Sequence, residues 1–141
     1  MTGRSGYRGY IGSRPYQGNR TPQSVQNLVV RDYCQRNGFS FLLSATEYAM
    51  ENCFMIMEDL VLEAPRLEGV VLYSLDMLPT DPACRHDICR RFLDAGCTIH
   101  GAVENTAVRD KDALQRLDEI WFIRNVSDDA ETALKTLLST A

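Results

Sequence analysis

The chain has 141 residues and a mass of 15.9 kDa, with 45% hydrophobic and 24% charged residues; this fits one folded domain and excludes collagen-like and fully disordered classes. No apolar run approaches the ~20 residues of a membrane-spanning helix, and none follows a basic start as in a signal peptide. Net charge is −4 but uneven: residues 1–36 hold six arginines against Asp32, while the rest of the chain carries −9.

Residues 1–6 read as a Gly/Ser/Arg-rich tail. Tyr7–Ser13 (YRGYIGS) reads as a first strand ending in small residues, and Arg14–Arg20 (RPYQGNR) as a polar loop. Thr21 then offers an N-cap and Pro22 a first helical residue. Val25, Leu28, Val29 and Tyr33 follow at helical spacing up to Gly38. Phe39–Leu43 reads as strand two, Ser44–Asn52 as loop, and Cys53–Ala64 as helix two, with Met55 and Met57 as core filler. Val70–Ser74 is a buried-type third strand, Asp76–Asp81 a loop, Pro82–Ala95 a third helix, and Cys97–Val103 a fourth strand. Helices over Asp110–Phe122 and Asp128–Leu138 complete the chain. Alternating short apolar strands and longer helices predict an α/β fold: a three-layer sandwich around a mainly parallel four-stranded sheet, Rossmann-like, with extra C-terminal helices.

Five cysteines, an odd number without CxxC spacing, predict free thiols, no metal and a cytoplasmic protein. Cys34, Cys89 and Cys97 occupy positions where apolar residues belong. His100, inside strand four, reads as a core histidine, and His86 as one on a solvated helix face. Trp121, Phe122 and Ile123 read as an exposed apolar cluster suited to a homo-oligomer or partner contact.

In open α/β sheets ligands gather at the carboxyl ends of the strands. That rule gathers Tyr10, Ser13, Arg14, Gln17, Asn19 and Arg20 from the first strand and its loop. It adds Glu47 and Tyr48 after strand two, Ser74 and Asp76 after strand three, and Glu104 after strand four. Arg14 and Arg20, with the start of the first long helix, suit a phosphate or carboxylate. Glu47, Tyr48, Asp76 and Glu104 are the candidate acid/base groups. Neither GxxxxGK[ST] nor GxGxxG is present, so no cofactor is expected.

The run GYRGYIGSRPYQGNRTPQSVQNLVVRDYC, followed by FLLSATEYAM, PRLEGVVLYSLDMLP and the weaker IHGAVENTAVRD, resembles the "sporadic carbohydrate cluster" family of small bacterial proteins. Such proteins are encoded among surface-polysaccharide biosynthesis genes; the resemblance implies that context and brings no reaction with it. The layout is also similar, more distantly, to the catalytic domain of serine resolvases, which start with a Tyr-x-Arg-x-Ser strand and carry Leu-Asp-Arg-Leu after strand three. Tyr10 matches the tyrosine, but Gly12 and Arg14 stand where the arginine and nucleophilic serine belong, and Ser13 is one place off. Leu75-Asp76-Met77-Leu78 keeps the aspartate and lacks the arginine.

Together these readings predict a small enzyme of surface-polysaccharide biosynthesis acting on a phosphorylated or nucleotide-linked sugar, by isomerase, epimerase or lyase chemistry. The alternative is a non-catalytic resolvase-like module for ligand or partner binding. DNA strand exchange is disfavoured, because duplex affinity needs several phosphate contacts and this chain is acidic. No nucleic-acid or membrane partner is therefore expected.

Overall fold

The computed structural model describes residues 5–12, 21–47 and 54–124. In chain order these form β1 (Tyr7–Gly12), α1 (Gln23–Arg36), β2 (Phe41–Glu47), α2 (Met55–Glu63), β3 (Gly69–Leu72), α3 (Pro82–Asp94), β4 (Thr98–Gly101) and β5 (Thr106–Val108). A last helix, α4, covers residues 111–124. Two short 3₁₀ turns, Ala64–Arg66 and Leu75–Met77, bracket β3.

The strands form one five-stranded sheet in the order β2-β1-β3-β4-β5, with β1 to β4 mutually parallel and β5 antiparallel to β4. Alternation along the buried strands sends neighbouring residues to opposite faces. Tyr10, Val70, Leu72 and Ile99 join residues of α2, α3 and α4 (Met57, Leu60, Ile88, Phe92, Leu114, Trp121) in the larger core. Ile11 and Val71 pack with Val30, Tyr33 and Cys34 of α1 on the other face. This is the expected α/β sandwich, with one more strand than the sequence reading supplies.

β5 has no counterpart in the sequence pattern, because three residues, Thr106-Ala107-Val108, give no periodic signal. It exists because the chain reverses after β4, where Asn105 takes a left-handed backbone (φ 51°), a conformation asparagine tolerates better than most residues. Strand two lies later than Phe39–Leu43. Gly38 (φ 69°) ends α1, and Phe39 is drawn off to stack on Tyr7, ring centroids 4.0 Å apart. The stretch read as loop from Ser44 is instead paired with β1, Gly9 opposite Ser44 and Gly12 opposite Glu47. Ser44 fits because Gly9 presents no side chain, and its hydroxyl donates to Asn27 Oδ1 at 2.6 Å.

Smaller departures follow the same logic. Thr21 does not cap α1 with its side chain; Pro22 occupies the cap, and the Thr21 carbonyl accepts from Gln26 Nε2 at 2.8 Å. β3 and β4 are each shorter than read, because Ser74 leaves the strand to cap the 3₁₀ turn and Ala102–Asn105 forms the reversal into β5. Met57 is core filler, but Met55 is exposed. Trp121 is not part of an exposed cluster: it is 6% exposed, with the Arg85 guanidinium 3.8 Å from its ring centroid. Ile120, Phe122 and Ile123 are the exposed apolar residues of α4. The helix read over Asp128–Leu138 lies outside the described residues. No helix among those described is long and apolar enough to cross a membrane.

Candidate functional site

β1 and β3 are neighbours at the centre of the sheet, and the chain leaves them toward opposite sides. This switch point, at the carboxyl edge, is where ligands settle in open α/β sheets. The β1 end is held by a residue that no motif singles out. Gln26, buried in α1, accepts from the Gly12 amide (3.0 Å) and donates to the Gly12 carbonyl (2.8 Å). A buried side-chain amide thus satisfies both backbone groups where the ladder stops. A glutamine one turn into a helix at i+14 from a strand's last glycine was the available signal.

Next along the edge is Glu47, 1% exposed. Its Oε1 accepts from the Tyr10 hydroxyl at 3.0 Å. The α2 amides of Ile56 and Met57 donate to Oε2 and Oε1 at 3.0 and 3.4 Å. Phe54, the cap residue of α2, makes no side-chain cap bond. A carboxylate from the end of β2 does that work and complements the helix dipole.

On the other side of β1, the Ser74 hydroxyl donates to Glu104 Oε2 (2.7 Å), and the Leu75 amide donates to Glu104 Oε1 (3.0 Å). Ser74 Oγ also accepts from the Asp76 amide at 3.1 Å. Glu104 lies so close over Gly101 that a Cβ there would fall 2.5 Å from Oε1. The Asp76 carboxylate accepts from Arg124 Nη2 of α4 at 2.9 Å.

Of the site residues read from the sequence, Tyr10 and Glu47 therefore form one hydrogen-bonded group, and Ser74, Asp76 and Glu104 another, on the same sheet edge. Ser13, Arg14, Gln17, Asn19, Arg20 and Tyr48 lie outside the described residues. Arg124 and Gln26 were missed, Arg124 because its 48-residue separation from Asp76 leaves no local pattern.

Elsewhere, titratable groups serve the core. His100 is buried, with Nδ1 2.8 Å from the Tyr33 hydroxyl and Nε2 2.8 Å from Thr98 Oγ1. Burial, aided by the Arg109 charge, pulls its pKa down to about 4, so it is neutral near pH 7. Burial raises the Tyr7 and Tyr33 phenols, and pushes the thiols of Cys34 and Cys89 up to about 11 and about 12. His86 is exposed and sits 2.7 Å from Asp118. Cys84 is exposed, whereas Cys34, Cys89 and Cys97 are buried. Among the described residues no group of three His, Cys, Asp or Glu is placed to hold a metal ion.

Strand order, the single antiparallel edge strand and the helices on both faces define a resolvase-like α/β fold. A resolvase family site-specific recombinase from Streptococcus pneumoniae superposes with a TM-score of 0.61 over 95% of this chain and 98% of that one, at 10% sequence identity. At that identity the likeness is one of fold. No protein-family model matches the chain, so the resemblance to the carbohydrate-cluster family finds no support there. No curated protein matches it either.

Proposed function

We propose that the chain is a resolvase-like module that binds a small anionic sugar, phosphorylated or nucleotide-linked, at the carboxyl edge of its sheet. One observation carries the choice of binding over catalysis. Glu47, Glu104 and Asp76, the edge carboxylates of the described residues, each accept hydrogen bonds that hold the fold: Glu47 from α2 and Tyr10, Glu104 from Ser74 and Leu75, Asp76 from Arg124. Each such bond occupies lone-pair capacity that a general base would offer to the substrate proton. The sugar class rests on the resemblance to carbohydrate-cluster proteins, and the anion on Arg14 and Arg20, read from the sequence. A thermal-shift panel of sugar phosphates and nucleotide sugars tests it. Stabilisation by at least one phosphorylated compound, weakened by Arg14→Ala, is the expected result; no stabilisation by any of them refutes it.

A second reading keeps the edge catalytic, as an isomerase, epimerase or lyase. It is favoured by the two hydroxyl–carboxylate pairs, Tyr10–Glu47 and Ser74–Glu104, each able to pass a proton. Solvent deuterium entering the bound sugar, lost in Glu104→Gln, would establish it. A bound sugar that takes up no deuterium leaves the binding module.

A further inference from the structure

We infer that Arg124 is a ligand-binding residue, the cation that α4 brings to the carboxyl edge to grip the anionic group, with Asp76 as its positioning partner. The inference rests on the anion-binding reading above and adds to it a residue and a helix outside the strand-end loops.

Arg124 comes from the far end of the chain, yet its Nη2 reaches Asp76 Oδ1 at 2.9 Å, in the turn that follows β3. Asp76 is well placed to hold it. The Asp76 side chain is only 17% exposed, and its amide is fixed by Ser74 Oγ. The guanidinium has five N–H donors in a planar fork, and the bond to Asp76 engages one edge of it. The Arg124 side chain is 43% exposed, and Asp76 is its one hydrogen-bond partner among the described residues. A fork steadied along one edge by a carboxylate suits two parallel bonds to a phosphate, which a lysine cannot make.

Several of the other described arginines have partners of their own. Arg8 pairs with Glu63, Arg36 with Asp32, and Arg91 with Glu58, while Arg85 is buried against Trp121. The guanidinium has donors beyond the one given to Asp76, so a phosphate can share the fork without breaking that ion pair.

The test is isothermal titration of the full chain with inorganic phosphate, glucose 1-phosphate and a uridine-diphosphate sugar. It compares the wild type with Arg124→Gln, Arg124→Lys and Arg116→Gln, an exposed arginine of the same helix. The expected result is that Arg124→Gln weakens the best-binding probe at least about tenfold. Arg124→Lys should lie between that variant and the wild type, and Arg116→Gln should stay within twofold of the wild type. Arg124→Gln binding within twofold of the wild type overturns the role of Arg124 and leaves the anion-binding reading standing. Equal weakening by Arg116→Gln reduces the effect to net charge and also overturns it. A wild type that binds none of the three overturns both.

Discussion

Replacing Glu47 by glutamine separates a carboxylate that holds the fold from one kept for chemistry. The side chain is almost fully buried and accepts from Tyr10 and from two amides in the first turn of α2. Hydrogen bonds to a charged group contribute about 1.5–3 kcal/mol each. Glutamine keeps one carbonyl acceptor but turns its NH₂ toward a donor, so at least one buried N–H or O–H loses its partner. The expected loss is about 2–3 kcal/mol, which at a urea slope near 2 kcal/mol/M lowers the unfolding midpoint by about 1–1.5 M. Tyr10→Phe should cost about 1–2 kcal/mol, and the double variant less than the sum, because both changes break the same contact. Urea unfolding followed by circular dichroism measures all three. Glu47→Gln within about 0.5 kcal/mol of wild type would refute the structural role and return this residue to the pool of acid/base groups.

Stability should also fall in mild acid because of His100. Its folded pKa of about 4 lies below the ordinary 6.5, so its contribution is complete above pH 6.5 and is lost as pH falls toward 4, to a limit of about 3 kcal/mol. His100→Gln should flatten the urea-derived stability profile in that window; an unchanged slope contradicts the assignment. Gly101→Ala should cost about 1–3 kcal/mol, since its Cβ would meet both Glu104 Oε1 and Leu75 Cγ at 2.5 Å. Thermal melts read this directly, and a neutral substitution would show that the Glu104 strap is loose. Among the cysteines described, Cys84 should alkylate at pH 8 in the native protein while Cys34 and Cys89 resist until unfolding; mass spectrometry of iodoacetamide-treated protein decides it.

Most of the sandwich was legible in the sequence because its central strands are continuous apolar runs. Val70–Leu72 and the helix following Pro82 carry signals that neighbouring residues reinforce. What was not legible depends on contacts far apart in the chain. Ser44 reads as loop until Gly9 is placed opposite it, and β5 reads as nothing until Asn105 turns the chain back on β4. The edge residues show the same division. Glu47, Asp76 and Glu104 were found from position alone, since polar residues after apolar strands collect at one edge. Their partners were not, because the Ile56 amide, Leu75 amide and Arg124 are joined to them by tertiary geometry. Trp121 misled for the same reason: an aromatic beside Phe122 and Ile123 looks exposed until Arg85 is seen lying across it.

The proposed anion site at the carboxyl edge of the sheet is open to direct measurement. Amide chemical-shift mapping of the ¹⁵N-labelled protein during titration with a sugar phosphate measures this directly. The largest shifts should fall on Gly12, Ser74, Leu75, Asp76 and Glu104, at the ends of β1, β3 and β4. Shifts confined to the amino-end cluster around Tyr7, Tyr33 and His100, or none at all, would contradict it.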